Sequence, residues 1–192
     1  MTQTPAELEA IFDEIWKANN AGLHYTALAV ALSVPDICSC LEQEPGKIWA
    51  KTEKYIAWCD AHLVSRFKHL TGKDISDLRG GILHQGNFRH PKSAFDGVMF
   101  VGPNSAIRFQ NDIIITVAPG VQIGGKTMEE IGLGYRILVM EVVPFCTTIA
   151  DAAREWVVAK ASDPFVQSNL PRLVRFRPNG LPPFAVGVPV IA

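Results

Sequence analysis

At 192 residues the chain is long enough for one domain with a sizeable core, and 48% hydrophobic against 19% charged residues exclude wholesale disorder. A formal net charge of -1 excludes a global pull toward nucleic acid or anionic membrane, so any nucleic-acid contact must come from a local patch. Lys51, Lys54, Arg66, Lys68, Lys73, Arg79, Arg89 and Lys92 make residues 51–92 rich in basic groups, most of which read as a solvated helix face.

The N-terminal Met-Thr-Gln-Thr-Pro lacks the basic and apolar regions of a signal peptide, and apolar runs such as 27–34 are too short to span a bilayer. A cytoplasmic protein with no membrane contact is the expectation. Cys38, Cys40, Cys59 and Cys146 form no metal-ligand spacing and read as reduced, mostly buried thiols.

In chain order, Thr4 with Glu7 predicts a capping box, with Pro5 in the first turn of a helix whose apolar face is Leu8, Ile11, Phe12, Ile15 and Trp16. After Asn19-Asn20-Ala21-Gly22 a second helix is predicted over 24–32. Ser33-Val34-Pro35-Asp36 reads as an interruption, Ser33 or Asp36 capping a third helix that runs to Glu42. Trp49, Tyr55, Ile56, Trp58, Cys59 and Leu63 form the core side of a further long helix ending near Leu70-Thr71-Gly72. Asp74 or Ser76 caps the next one, which Gly86, Asn87 and Pro91 end.

The period changes at Phe95. Gly97 to Val101, Ile107-Arg108-Phe109 and Ile113 to Val117 predict two or three short antiparallel strands, a β insert over about 95–125. Gly120-x-x-x-Gly124-Gly125-Lys126-Thr127 ends like a P-loop but lacks the required first glycine and the strand–helix context, so it reads as a loop. Residues 135–143 suit a strand or a buried helix, and Phe145, Ile149, Ala152, Ala153, Trp156 and Val157 mark a closing helix. The tail 163–192, with Pro164, Pro171, Pro178, Pro182, Pro183 and Pro189, is expected to be irregular yet packed, through Phe165, Leu170, Leu173, Phe176 and Phe184. The expected fold is mainly α: a single domain over 1–192, a helical bundle with a small antiparallel insert and an irregular proline-rich tail.

The chemistry concentrates in Leu78-Arg79-Gly80-Gly81-Ile82-Leu83-His84-Gln85-Gly86. A cation and a titratable group on one short apolar segment are costly unless they meet a partner or a substrate phosphate. Histidine moves a proton near neutral pH, and arginine offers a phosphate a fixed fork of donors. On a straight α-helix five steps of about 100° leave Arg79 and His84 roughly 140° apart, so the Gly80-Gly81 pair or a two-fold partner must bring them together. The remaining histidines, His24, His62, His69 and His90, lack a convergent metal-ligand spacing, and Ser33, Ser39 and Ser76 sit in no Gly-x-Ser-x-Gly elbow. No cofactor or metal is expected. Trp16, Trp49, Trp58 and Trp156 read as core rather than base-stacking platforms.

Arg79, four residues and His84 resemble the Arg-x4-6-His signature of the HEPN superfamily. Together with the segment 31–42 and Trp58, the motif resembles an uncharacterised bacterial, partly plasmid-borne branch of it, over most of residues 20–160. The resemblance implies a helical bundle, often a homodimer with two Arg-His pairs across a shared cleft. It also implies metal-independent cleavage of RNA by attack of the ribose 2'-hydroxyl, in a toxin, abortive-infection or other defence setting, with an antitoxin-like partner protein. Arg79 and His84 would be the catalytic pair, with Gln85, Arg89, His90, Asp36 and Glu42 as substrate-binding candidates. Active members commonly carry a polar residue directly after the Arg. Gly80 stands there in this chain, and Asp36, Glu42 or Gln85 is the candidate substitute. The resemblance leaves open a non-catalytic module of the same fold that binds RNA, a nucleotide or a protein. In a third reading the β insert and tail form a partner-docking face on a helical scaffold.

Overall fold

The structure is a computed structural model that describes residues 4–47, 49, 51–86, 95–103, 112–128, 130, 131 and 134–192. About half of the chain is helical. In order come α1 (Ala6–Asn20), α2 (His24–Leu41), α3 (Thr52–His62), α4 (Gly72–Gly80), a π-helical turn (Gly81–Gln85), α5 (Val142–Ala159) and α6 (Pro164–Asn169). The mainly helical expectation with a small β portion holds at that level.

The centre is α2, against which α1, α3, α4, α5 and α6 all pack. It is continuous, and the predicted break at 33–36 does not occur. Pro35 cannot donate to the carbonyl one turn back, and a proline inside a helix costs about 3 kcal/mol. Opposing this are the buried Leu28, Leu32, Val34 and Leu41, each large side chain contributing roughly 1.5–3 kcal/mol. Burial therefore outweighs the local signal. The Ser33 hydroxyl turns back to the Val30 carbonyl at 2.7 Å, and neither Ser33 nor Asp36 caps a helix. By length and apolar composition α2 also matches a membrane span, but half of that stretch is buried inside the fold.

Other helix ends move for similar reasons. Pro5 occupies the N-cap of α1 without a side-chain bond, because the Glu7 carboxylate accepts instead from Arg175 of the tail at 2.8 Å. Helix α3 stops at His62, short of the predicted end, and Trp49 before it is 72% exposed. Trp16 is 66% exposed, so of the four tryptophans only Trp58 and Trp156 are core residues. Thr71, rather than Asp74 or Ser76, caps α4; Asp74 answers it as the third residue of a capping box.

The β portion differs from the expected antiparallel insert. Strands β1 (Gly97–Val101) and β2 (Ile113–Thr116) do not pair with each other. Both pair with β5 (Arg136–Glu141), β1 in parallel and β2 antiparallel, Val139 lying opposite both Met99 and Ile113. The central strand thus comes from the ambiguous run 135–143, whose unbroken Ile137, Leu138, Val139 and Met140 are all buried, as a strand covered on both faces requires. Residues 107–109 lie outside the described residues. A hairpin of β3 (Gln122–Ile123) and β4 (Lys126–Thr127) turns at Gly124-Gly125, both with positive φ, which disposes of the P-loop. The Asp112 carboxylate accepts from the Lys68 and His69 amides at 2.6 and 2.7 Å, pinning this sheet to the α3–α4 connection.

The tail is more regular than expected. After α6 two short antiparallel pairs form, β6 (Phe176–Arg177) with β9 (Val190–Ile191) and β7 (Gly180–Leu181) with β8 (Ala185–Val186). Leu170 joins the core and Leu173 packs against it as the sequence suggested, whereas Phe165, Phe176 and Phe184 are exposed; Val166 is buried as well.

Two glycines of α4 give opposite expectations. A Cβ at Gly72 would lie 2.5 Å from the Ile56 carbonyl oxygen, while one at Gly80 meets nothing within 4 Å. Gly72→Ala should lose about 1–3 kcal/mol of stability, and Gly80→Ala should gain about 0.4–1 kcal/mol, both read by urea unfolding.

Candidate active site

Helix α4 is fixed at both ends before it delivers any chemistry. At its start the Gly72 amide donates to Asp60 Oδ1 of α3 at 2.8 Å, inside the Thr71–Asp74 box. Ile75 and Leu78 bury its inner face, and the next residue, Arg79, enters the junction with α2 and α3. There its Nε lies 2.9 Å from Asp36 Oδ2, and its guanidinium carbon sits 4.8 Å from the centre of the Tyr55 ring. The Tyr55 ring is fully buried and its hydroxyl donates to the Leu32 carbonyl at 3.0 Å, so the arginine rests on a fixed aromatic face.

Only 20% of the Arg79 side chain and 17% of the Asp36 side chain are exposed. The pair is close but imperfectly aligned: the Arg79 Nε–H and Asp36 Oδ1 both lack an aligned hydrogen-bond partner. Burial pushes the Asp36 carboxyl above its ordinary range, and the Arg79 charge only partly offsets this. Burial likewise pushes the Cys59 and Tyr55 groups up, so neither thiolate nor phenolate is available beside Arg79. The outer side of Asp36 borders a 230 Å³ pocket shared with Ile37, Cys40, Leu41, Asn169, Arg172 and Leu173.

His84 has the opposite environment. It sits on the exposed side of the π turn, where the Gly86 amide reaches back to the Gly81 carbonyl and Gly86 ends the turn in the left-handed conformation. The i→i+5 winding advances less per residue than an α-helix, so His84 rotates back toward the face of Arg79 from the roughly 140° of a straight helix. The Tyr25 hydroxyl, from the first turn of α2, donates to the Ile82 carbonyl at 2.6 Å and ties this turn to the bundle. That end of α2 has no side-chain cap and no acidic residue in its first turn.

The remaining candidates divide. Asp36, read as a cap first and a substrate contact second, is the partner of Arg79 and thus the polar neighbour that Gly80 does not provide. Glu42 is committed elsewhere: its Oε1 accepts from Trp156 Nε1 at 3.2 Å and meets Lys160 Nζ at 2.8 Å. Gln85 is exposed next to His84. Arg89 and His90 lie outside the described residues. Of the other histidines, His62 stacks near Trp58 and is pushed down by burial. His24 lies 3.4 Å from Asn19 Oδ1. Among the described residues no three His, Cys, Asp or Glu side chains converge on a metal position. Tyr55 and Tyr25 are the site members that sequence reading missed, since no local pattern links them to residues 24 and 57 positions away.

Comparison with known proteins finds no family model, no curated protein and no solved structure that matches this chain.

The raised Asp36 gives a pH test. The folded chain holds this proton more tightly than the unfolded chain, whose value is near 3.8, so its contribution to stability is full below that value. It is lost as pH rises through the higher folded-state value. Urea unfolding from about pH 3 to about pH 7 should show wild type losing ground to Asp36→Asn as pH rises; a constant difference would refute the assignment.

Proposed function

We propose that the chain is a HEPN-like, metal-independent endoribonuclease whose catalytic pair is Arg79 and His84. One observation carries this reading: a solvent-exposed histidine stands one π turn beyond an arginine held by Asp36 and Tyr55. In the reaction the His84 imidazole takes the proton of a ribose 2'-hydroxyl as O2' attacks the neighbouring phosphorus. The P–O5' bond breaks, O5' takes a proton from water and leaves as a hydroxyl, the hydroxide so formed takes back the proton held by His84, and a 2',3'-cyclic phosphate remains. Arg79 meets the charge that grows on the phosphoryl oxygens, and Asp36 acts as its positioning residue. Arginine suits this because it keeps its charge when half-buried. The working unit is a homodimer in the cytoplasm, its two sites sharing a cleft, and a toxin or defence role with an antitoxin-like partner fits such an activity.

A second reading is favoured by the same ion pair. A guanidinium bound to a carboxylate and an aromatic ring also serves to hold α4 on α2, which leaves a non-catalytic module that binds RNA, a nucleotide or a protein.

The purified protein, Arg79→Ala and His84→Ala should be incubated with mixed RNA and single-stranded DNA in EDTA. Cleavage of RNA alone, leaving cyclic phosphate ends and falling roughly 10²–10⁴-fold in His84→Ala, is the expected result. Intact RNA, or equal cleavage by all three proteins, selects the non-catalytic module.

A further inference from the structure

Tyrosine on a protein surface usually buries its ring and leaves its hydroxyl to water. Tyr25 does the reverse. Its hydroxyl is engaged by the Ile82 carbonyl at 2.6 Å, and the residue is 55% exposed. Anchored at its tip and at its backbone in α2, the ring cannot swing freely. It is therefore a rigid aromatic face with little rotamer entropy left to lose on binding. Leu23, two residues before it in the chain, and Leu83, next to its anchor Ile82, are exposed as well.

The anchor also sets the location, since Ile82 lies in the same π turn as His84, two residues before it. An exposed ring anchored to the turn that carries the exposed His84 matches the needs of an unpaired nucleobase next to the phosphate under attack. Bases inside a duplex are stacked on each other and offer no free face, whereas a single strand can place one against an aromatic ring. Resting on the ribonuclease reading above, we propose that Tyr25 is the stacking platform for one unpaired base, and that the substrate class is single-stranded RNA.

The test separates binding from cleavage. A fully 2'-O-methylated single strand lacks the attacking hydroxyl, and its annealed duplex serves as the control; anisotropy at fixed salt gives both affinities. Wild type should prefer the single strand. Tyr25→Leu should weaken single-strand binding by about 5- to 150-fold, the range of one base–aromatic stack, and leave the duplex unchanged. Tyr25→Trp, which loses the anchor but enlarges the ring, should bind the single strand at least as well as Tyr25→Phe. Equal single-strand affinity of wild type and Tyr25→Leu overturns the platform, as does an equal loss on both probes. Cleavage in EDTA that persists undiminished in Tyr25→Leu on single-stranded RNA also sinks the platform while leaving the ribonuclease standing. Tyr25-dependent single-strand binding without cleavage by wild type upholds the platform and removes the ribonuclease.

Discussion

The burial of α2 is the constraint from which the other parts follow. A helix enclosed by five others has room for a carboxylate only where a cation answers it. Asp36 is such a carboxylate, and among the described residues Arg79 is its ion partner. Removing either partner leaves a largely buried charge alone, a state far costlier than the net gain of the pair itself. The position of α4 on α2 is thereby specified by charge as well as by Ile75 and Leu78.

The same junction divides the site into a fixed part and an open part. Arg79 is held from two sides, by Asp36 and by the Tyr55 ring, whose own hydroxyl is spent on Leu32. His84 stands in solvent on a turn tied down through its backbone rather than through its side chain. Such an arrangement leaves the imidazole open to solvent on a turn whose backbone is tied to the bundle. The change in helical winding at Gly81 narrows the angle between the two residues, with Arg79 turned to Asp36 and Tyr55 and His84 to solvent.

The tail ties the two ends of the chain to the core without becoming core itself. Arg175 reaches Glu7 of α1, and the buried Asn169 amide donates to the Leu41 and Gln43 carbonyls at the end of α2. Beyond these anchors Phe176, Phe184, Val186 and Ile191 remain exposed on short hairpins. Prolines in the tail limit each strand to two residues, so the hairpins stay small and the apolar side chains stay outside.

By itself the sequence determined the helical identity of α1, α5 and the segment carrying Arg79, because their apolar residues recur at helical spacing over several turns. It also determined the β character of Gly97–Val101 and Ile113–Thr116, and the left-handed stop at Gly86. Local chemistry suffices for such features, since periodicity and glycine act over a few residues. Only tertiary structure decided that α2 runs through Pro35, that Glu7 serves Arg175 instead of a cap, and that residues 136–141 form the central strand. It alone placed Asp36 and Tyr55 around Arg79 and opened Trp16 and Trp49 to solvent. The pairings of Glu7 with Arg175, of Arg79 with Asp36 and Tyr55, and of the central strand with its neighbours join residues far apart in the chain, and no window of a few residues contains both partners.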